Sequence, residues 1–417
     1  MIAARDSKTG IYVSVPFCRS KCTYCNFASG VYPAGEHDRY VQRLIEDLSA
    51  AGSWAAHMSV DLPRRVDTVY LGGGTPSLLE PELLTKLFAG MRAEFDIEAD
   101  AEITVECAPG QLPDPALEAL ARAGVNRVSL GVQSFVDSEA RGSGRLHDRA
   151  TVERDLRRLR AAGIANINID LIAGLAGQTI TSWQDSLDAL IAAEVPHASI
   201  YMLEIDEDSR LGRELLAGGG RYRASLVPHE DDVVEMYTSA CERLSRAGLG
   251  QYEISNFSRS GFESRHNLRY WQRRPYLGVG LDASSMLRAK SDGAFDETSR
   301  FILRSSTTAD LKAYVTAAER PETAWLSPAR QHEEAWFLGL RMNVGVKIAD
   351  LKNEFGRGMV EPALKTAECL AERGLLILDS DIVRLTSRGR LISNEIFQEF
   401  LETRSEPSLH GQMQCGR

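Results

Sequence analysis

The sequence predicts an α/β fold in which a barrel or partial barrel of strand–helix units precedes a smaller helical domain. Short β-branched or aromatic runs alternate with amphipathic stretches through the first two thirds of the chain, and this alternation is typical of βαβ units with a parallel sheet. The 417 residues, 43% of them hydrophobic, suffice for two or three domains with a sizeable core. No apolar run approaches the ~20 residues that a membrane-spanning helix needs.

Six strands and five helices are predicted in alternation, beginning close to the amino terminus. The predicted strands are residues 11–15, 68–71, 103–106, 127–133, 166–171 and 199–203. The predicted helices between them are residues 37–48, 81–95, 115–123, 151–162 and 182–193. Six units in series favour a barrel or partial barrel over an open sheet, although the pattern alone does not decide between them.

The last third of the chain has a different pattern. Residues 259–296 are rich in Arg, Gly and Tyr without a clean period, which predicts irregular structure with a functional role. Beyond them, helices are predicted at 331–340, 348–355 and 361–372, followed by strands at 375–378 and 382–385 and a helix at 393–401. Helices followed by a small hairpin resemble a winged-helix arrangement. The predicted domains are therefore 11–290 and 291–402, with flexible ends at 1–10 and 403–417.

The charge balance argues against a nucleic-acid partner. The net charge is -10, from 48 Lys and Arg against 58 Asp and Glu. Acidic residues also outnumber basic ones between 331 and 402, so the winged-helix-like end is not suited to a DNA groove. We expect that end to have a structural or docking role. Because the first residues contain no apolar block of the signal-peptide kind, we expect a cytoplasmic protein.

Three of the seven cysteines form a cluster with the spacing C-x3-C-x2-C: Cys18, Cys22 and Cys25. An odd number of cysteines does not suit a disulfide framework. Three thiolates on a loop after a strand are suited to hold three irons of a 4Fe-4S cube, which leaves the fourth iron without a protein ligand. An open metal position lets a small molecule bind directly. The alternative is a zinc site that lacks its fourth ligand.

This cysteine spacing resembles the signature of the radical S-adenosylmethionine (SAM) proteins. The run Tyr12-Val-Ser-Val-Pro-Phe-Cys18 is similar to the opening of a narrower group, the oxygen-independent coproporphyrinogen III oxidases (HemN) and the related haem chaperones (HemW). The resemblance covers residues 10–402. It implies a partial (β/α)6 radical SAM barrel and a 4Fe-4S cluster whose open iron binds the methionine part of SAM. It also implies one-electron cleavage of SAM to a 5′-deoxyadenosyl radical.

The resemblance further implies SAM contacts for residues at the carboxyl ends of the predicted strands, which is the active-site face of α/β barrels. Gly72-Gly-Gly-Thr-Pro76 resembles the element that contacts the SAM amino group in this family. Glu106 is implied to bind the ribose hydroxyls, and Arg145 to lie near the SAM carboxylate. The full set of implied SAM residues is Tyr12, Tyr24, Gly73, Gly74, Thr75, Glu106, Gln133, Arg145 and Asp170.

Three features place the sequence with the chaperone branch of the group. Oxidases carry a further cysteine two positions after the third, where this chain has Phe27, and a longer segment before the cluster than the 17 residues here. Residues 263–271 contain the H-N-x-x-Y element that is associated with haem in HemW. His266 is a plausible axial ligand because neutral imidazole binds haem iron well. Tyr270 would share its face in a helix, and a histidine with a purely structural role is the alternative.

We therefore expect a cytoplasmic haem chaperone-like radical SAM protein that binds a 4Fe-4S cluster, SAM and haem and passes haem to acceptor proteins. Membrane-bound respiratory enzymes are candidate acceptors, and peripheral membrane contact and a homodimer are left open. Whether SAM is cleaved is also open. The alternative is a coproporphyrinogen III dehydrogenase that converts two propionates to vinyl groups. A DNA-binding regulator is disfavoured by the charge.

One segment departs from the family pattern. After Tyr276-Leu-Gly-Val-Gly280, relatives usually continue with Ala-Gly-Ala-His-Ser, whereas this chain has Leu281-Asp-Ala-Ser-Ser285. A histidine that could touch haem or substrate is absent, and Asp282 is new. The departure leads us to expect an altered affinity for haem or a different porphyrin ligand.

Overall fold

The computed structural model describes residues 7–290 and 301–401 and divides the chain into two compact units, Met1–Pro328 and Ala329–Arg417. The predicted flexible tail at 403–417 and most of the predicted flexible start at 1–10 lie outside the described residues. The division after Pro328 differs from the domain boundary at 290 that the sequence predicted. The difference arises because two strands beyond residue 300 extend the sheet of the first unit.

The first unit alternates strands and helices from its start. Its strands are β1 (Lys8–Val15), β2 (Val60–Asp61), β3 (Arg65–Gly73), β4 (Asp96–Cys107), β5 (Arg127–Gln133), β6 (Asn166–Ala173), β7 (His197–Met202), β8 (Gly250–Gln251), β9 (Asn256–Ser258), β10 (Tyr276–Gly280), β11 (Ser284–Ala289), β12 (Ile302–Ser306) and β13 (Glu322–Leu326). Its helices are α1 (Gly35–His57), α2 (Pro81–Glu94), α3 (Asp114–Arg122), α4 (Asp137–Gly142), α5 (Arg149–Ala161), α6 (Ile180–Ala192), α7 (Arg210–Leu216), α8 (Glu230–Arg246), α9 (Arg265–Trp271) and α10 (Leu311–Val315).

The described strands of this unit form one sheet with a parallel centre. The parallel strands run in the order β10-β1-β3-β4-β5-β6-β7, so the six predicted strands are neighbours in chain order. Antiparallel strands extend both edges: β11, β12 and β13 beyond β10, and β9 and β8 beyond β7. The α/β fold with a parallel sheet is thereby confirmed.

Along much of the parallel strands, apolar side chains alternate with polar ones or with glycine. In β5 the apolar set is Val128, Leu130 and Val132, each at most 1% exposed, whereas the intervening positions carry polar side chains or glycine. Successive side chains of a strand point to opposite faces. One face of the sheet is therefore apolar, and the other presents polar groups to the interior.

The segment 259–296 was predicted to be irregular, and this prediction is wrong. Its described part contains α9 and the two strands β10 and β11. These elements escaped prediction because each is only five to seven residues long and β10 contains two glycines. In the turn between the strands, Asp282 has a φ of 54°, in the left-handed region that non-glycine residues rarely adopt. Ser284, in the segment that was expected to depart from the family pattern, hydrogen-bonds with the Ser306 hydroxyl at 2.9 Å.

The second unit combines helices with a small sheet, as the winged-helix-like pattern predicted. Its helices are α11 (Pro328–Arg341), α12 (Ile348–Phe355), α13 (Arg357–Glu372), α14 (Ser387–Leu391) and α15 (Ser393–Gln398). Its strands are β14 (Val346–Lys347), β15 (Leu376–Asp379) and β16 (Ile382–Leu385), in the order β14-β16-β15. The fully buried Trp336 stacks on Phe400 at 4.8 Å between ring centroids. Among the described helices, none combines the length and hydropathy needed to cross a bilayer.

A buried ion pair attaches α9 to the sheet. The fully buried guanidinium of Arg269 donates to Asp67 of β3, and Arg274 donates to the other oxygen of that carboxylate at 3.0 Å. Arg269 also donates to the carbonyl oxygen of Pro275 at 2.8 Å. Because a buried charge is tolerated only when it is paired, this contact fixes the position of α9.

Replacing Asp67 with Asn tests this attachment. The substitution leaves Arg269 as an uncompensated buried charge, so we expect the free energy of unfolding to fall by about 3–5 kcal/mol. Urea unfolding followed by circular dichroism measures the change. In the matched control Glu118→Gln, an exposed pair with Arg122 is lost, and the expected loss is below about 1 kcal/mol. Equal effects of the two substitutions would contradict the account.

Candidate functional site

The three clustered cysteines lie on a loop between β1 and α1 that is closed by its own backbone. Cys18, Cys22 and Cys25 are free thiols and partly exposed. The Cys18 N–H donates to the Gly30 carbonyl at 2.8 Å, and the Gly30 N–H donates to the Pro16 carbonyl at 2.9 Å. The three thiols therefore sit on one short loop whose two ends are fixed to each other.

The glycine element at the end of β3 packs directly against this loop. The N–H groups of Gly74 and Thr75 donate to the carbonyls of Val15 and Phe17, both at 2.8 Å. A Cβ atom at Gly74 would lie 2.7 Å from the Val15 oxygen, so a larger residue would push the two segments apart. The Thr75 hydroxyl comes within 3.9 Å of the Cys18 sulfur. The glycine element and the cysteine loop thus lie side by side at the carboxyl ends of the strands, and the region between them is called the mouth of the sheet below.

Glu106, at the end of β4, is held by two donors. The Tyr70 hydroxyl donates to Oε1 at 2.8 Å, and the Gly73 N–H donates to Oε2 at 3.2 Å. Burial raises the pKa of Glu106 from 4.5 to about 7, and the nearby Asp170 carboxylate adds to the rise, whereas the two donors oppose it. A carboxylate in this position retains lone pairs that can accept hydrogen bonds from hydroxyl groups.

Asp170, on β6, is part of a polar cluster that covers the interior face of three neighbouring strands. Its carboxylate accepts hydrogen bonds from Ser129 at 3.0 Å and from Asn168 at 2.7 Å. Asn168 donates in turn to Ser199 at 3.0 Å. Burial raises the pKa of Asp170 as well. Ser129, Asn168 and Ser199 alternate with apolar residues along their strands, and they orient this carboxylate.

Arg145 and Gln133 meet opposite Gly131, and Tyr24 joins them. Arg145 Nη2 donates to the Tyr24 hydroxyl at 3.1 Å. A Cβ atom at Gly131 would lie 3.1 Å from Gln133 Nε2 and 3.2 Å from Arg145 Nη2, so both side chains close over this glycine. Gln133 Oε1 and Arg145 Nε are buried and have no hydrogen-bond partner among the described residues. Unpartnered buried polar atoms are costly, and a polar ligand in the mouth would satisfy them.

The described residues contain no group of three or more His, Cys, Asp or Glu side chains arranged to hold a single metal ion. A 4Fe-4S cube takes one thiolate at each iron, so its ligands need not converge on one point. Three free thiols on a closed loop suit that requirement.

His266 and Tyr270, the predicted haem contacts, lie on α9. The His266 side chain is fully buried. Its Nδ1 is 2.9 Å from the Thr68 hydroxyl, and its Nε2 is 2.8 Å from the Tyr270 hydroxyl. Burial and the nearby Arg269 charge lower the pKa of His266 to about 3, so the imidazole is neutral. In this arrangement neither ring nitrogen is free to bind iron.

Tyr12 lies beside these groups, with its ring centroid 6.1 Å from that of Tyr70. The structure thus brings the predicted SAM residues to one mouth and places His266 and Tyr270 behind it. Sequence reasoning missed Tyr70, Ser129 and Asn168. The two-residue period of the strands is the signal that could have found them. Residues an even number of positions apart share a face of the strand, and each of these three residues precedes a motif residue of its own strand in this way.

Models of two known protein families match this chain. The Radical SAM superfamily model matches residues 12–190, and the HemN C-terminal domain model matches residues 326–392. The curated Heme chaperone HemW of Lactococcus lactis is 32% identical over 94% of this chain and 96% of its own. That of Bacillus subtilis is 33% identical over 94% of this chain and 98% of its own.

The chain belongs to the HemW family of radical SAM proteins. Among solved structures, the coproporphyrinogen III oxidase HemN of Escherichia coli has a TM-score of 0.78, with 21% identity over 95% of this chain and 91% of its own. This likeness shows the fold. As a radical SAM family, the HemW family implies a 4Fe-4S cluster and SAM.

The pKa of Glu106 predicts a pH dependence of stability. The folded protein retains up to about pH 7 a proton that the unfolded chain releases near pH 4.5. The free energy of unfolding should therefore fall as pH rises through this interval, by at most about 3 kcal/mol. Glu106→Gln should remove that share of the fall. Urea midpoints of both cluster-free proteins at pH 4.5 and pH 8 test this, and identical pH dependence would contradict it.

Proposed function

We propose that this chain is a haem chaperone-like radical SAM protein that binds a 4Fe-4S cluster, SAM and haem and delivers haem to acceptor proteins. The observation that carries the proposal is its similarity, along nearly the whole chain, to curated proteins named Heme chaperone HemW. The geometry of the mouth supports the first two ligands. The haem part of the proposal rests on the family and on the H-N-x-x-Y element.

In this proposal Cys18, Cys22 and Cys25 each bind one iron of the cluster. The closed loop, the three free thiols and the adjoining glycine element support this assignment. The cluster would supply one electron to SAM and an open iron for its methionine part. The surrounding side chains would position SAM and exclude water from the mouth.

SAM would bind across the carboxyl ends of the strands. Glu106 would accept hydrogen bonds from the ribose hydroxyls, and Arg145 would pair with the SAM carboxylate. The unpartnered Gln133 Oε1 and Arg145 Nε support a polar ligand at this position. The complete proposed set is Tyr12, Tyr24, Gly73, Gly74, Thr75, Glu106, Gln133, Arg145 and Asp170.

Haem contact at His266 and Tyr270 is a prediction with a structural requirement. An iron ligand at Nε2 would displace the Tyr270 hydroxyl, which lies 2.8 Å away. Haem binding through His266 therefore requires α9 to open this hydrogen bond.

Phe27 favours the chaperone over the oxidase. Its side chain is 65% exposed beside the cysteine loop, at the position where the oxidase branch carries a further cysteine. This chain therefore lacks a thiol that the second candidate function, coproporphyrinogen III dehydrogenase, would lead one to expect. The likeness to HemN is a likeness of fold and does not favour its activity.

We propose haem-acceptor proteins as the partners, with membrane-bound respiratory enzymes as candidates, in the cytoplasm or at the membrane periphery. A homodimer is compatible with the proposal and is not required by it. The net charge of -10 argues against a nucleic-acid partner, because phosphate groups are bound by clustered basic residues.

Haem titration tests the function directly. The anaerobically reconstituted protein should retain haem through gel filtration at close to one equivalent, followed by the Soret band. His266→Ala should weaken haem affinity at least tenfold, about 1.4 kcal/mol, if α9 opens as required. His197→Ala is the matched control, because His197 is equally buried and both its ring nitrogens are hydrogen-bonded.

The outcomes separate the candidates. Absence of retained haem in a protein with an intact cluster would contradict the chaperone proposal. Turnover of coproporphyrinogen III would favour the oxidase. Equal haem affinity in His266→Ala and His197→Ala would move the haem site away from α9 without removing the chaperone function.

A further inference from the structure

A continuous column of side chains connects α9 with the carboxylate of Glu106. It begins at the Tyr270 hydroxyl, which hydrogen-bonds with His266 Nε2 at 2.8 Å. The His266 imidazole then lies against the ring of Tyr70, with 5.3 Å between centroids and 30° between planes. The Tyr70 hydroxyl donates to Glu106 Oε1 at 2.8 Å.

The far end of this column is anchored to the sheet. Both the Arg265 and His266 backbone N–H groups donate to the Glu102 carboxylate of β4 at 3.0 Å. The Arg269–Asp67 ion pair attaches the same short helix to β3. His266 Nδ1 is fixed by the Thr68 hydroxyl at 2.9 Å. Because α9 cannot shift without breaking buried polar contacts, the imidazole is a rigid support for Tyr70.

The near end of the column determines how Glu106 is presented. With Tyr70 donating to one oxygen and the Gly73 N–H to the other, the carboxylate plane has a fixed orientation. The Tyr12 ring, 6.1 Å from that of Tyr70 and inclined by 28°, packs on the same ring. Tyr70 is therefore confined by two aromatic neighbours, and its hydroxyl has a single acceptor among the described contacts.

We propose that Tyr70, supported by His266, is a positioning residue that orients Glu106 to receive the ribose of SAM. This inference rests on the proposed function, in which Glu106 binds the ribose hydroxyls. It gives the H-N-x-x-Y element a role at the SAM site, because His266 of that element packs on Tyr70 and Tyr70 donates to Glu106. Any event that withdraws His266 from Tyr70 loosens the SAM contact.

Proton binding supplies a readout that a merely structural tyrosine would not move. The Tyr70 hydrogen bond lowers the pKa of Glu106 against the effect of burial, so removing the hydroxyl should raise that pKa further. The affinity for SAM should then require a higher pH. The other titratable groups that interact with Glu106 are Tyr12, Cys107, Arg145, Asp170, Tyr201 and Tyr270.

The test is calorimetric titration of SAM into the anaerobically reconstituted full-length protein between pH 6 and pH 9. Tyr70→Phe should lower SAM affinity about tenfold at pH 7, the effect of losing a hydrogen bond to a charged group. It should also move the midpoint of the pH profile upward. Glu106→Gln should lose affinity and show no rise with pH across the Glu106 titration.

The matched control is Tyr314→Phe. Tyr314 also donates its hydroxyl to a carboxylate, that of Asp47 on α1, and neither residue belongs to the proposed SAM set. SAM affinity and its pH midpoint should equal those of the wild type. His266→Ala should lower SAM affinity in the wild-type background and add little in the Tyr70→Phe background, because two residues acting through one contact are not additive.

Each result has one meaning. Wild-type protein that retains its cluster but binds no SAM overturns both the proposed function and this inference. Glu106→Gln with wild-type affinity overturns the inference by removing Glu106 from the SAM site. Tyr70→Phe with wild-type affinity and an unmoved pH midpoint, alongside a weakened Glu106→Gln, overturns the positioning role alone. An upward midpoint shift in Tyr70→Phe, absent in Tyr314→Phe, supports it.

Discussion

Burial of apolar side chains on one face of the parallel strands sets how the strands pair, and the positions of the polar groups in the site follow from that pairing. Burial of Val128, Leu130 and Val132 on one side of β5 fixes its register, because a slip of one residue would exchange the two faces. The same register turns Ser129 and Gln133 to the interior. Apolar burial stabilises the sheet by about 25 cal/mol per Å² of surface removed from water. The same burial determines where the polar groups of the sheet meet.

The mouth is built from separate short segments that this register brings together. The cysteine loop closes on itself through Gly30, and the glycine element fits against it because Gly74 has no side chain. Glu106 and Asp170 then lie close to each other on the polar face of the sheet, and burial raises the pKa of both carboxyl groups. Such shifted carboxylates in a concave site are typical of ligand-binding positions.

How far the sequence predicts this structure depends on how local the signal is. Strand β5 was predicted to the residue because its alternation is unbroken, and the Cys18–Cys25 loop was found because its spacing is a local pattern. In contrast, α9 and β10 are too short to show a period. Tyr70 could not be linked to Glu106 from sequence, since the two residues are 36 positions apart and meet only through strand pairing. The hydrogen bonds that enclose His266 are long-range in the same way.

The proposed chemistry depends on a cluster that the cysteine loop holds with one iron open to SAM. Electron paramagnetic resonance of the reduced, reconstituted protein, recorded without and with SAM, tests it most directly. We expect about four irons per chain and a cluster signal whose g values change when SAM is added. The signal should be lost in Cys18→Ala and retained in Cys241→Ala. If the reconstituted wild-type protein shows no cluster signal, or a signal that SAM leaves unchanged, the loop does not hold a cluster with an iron open to SAM.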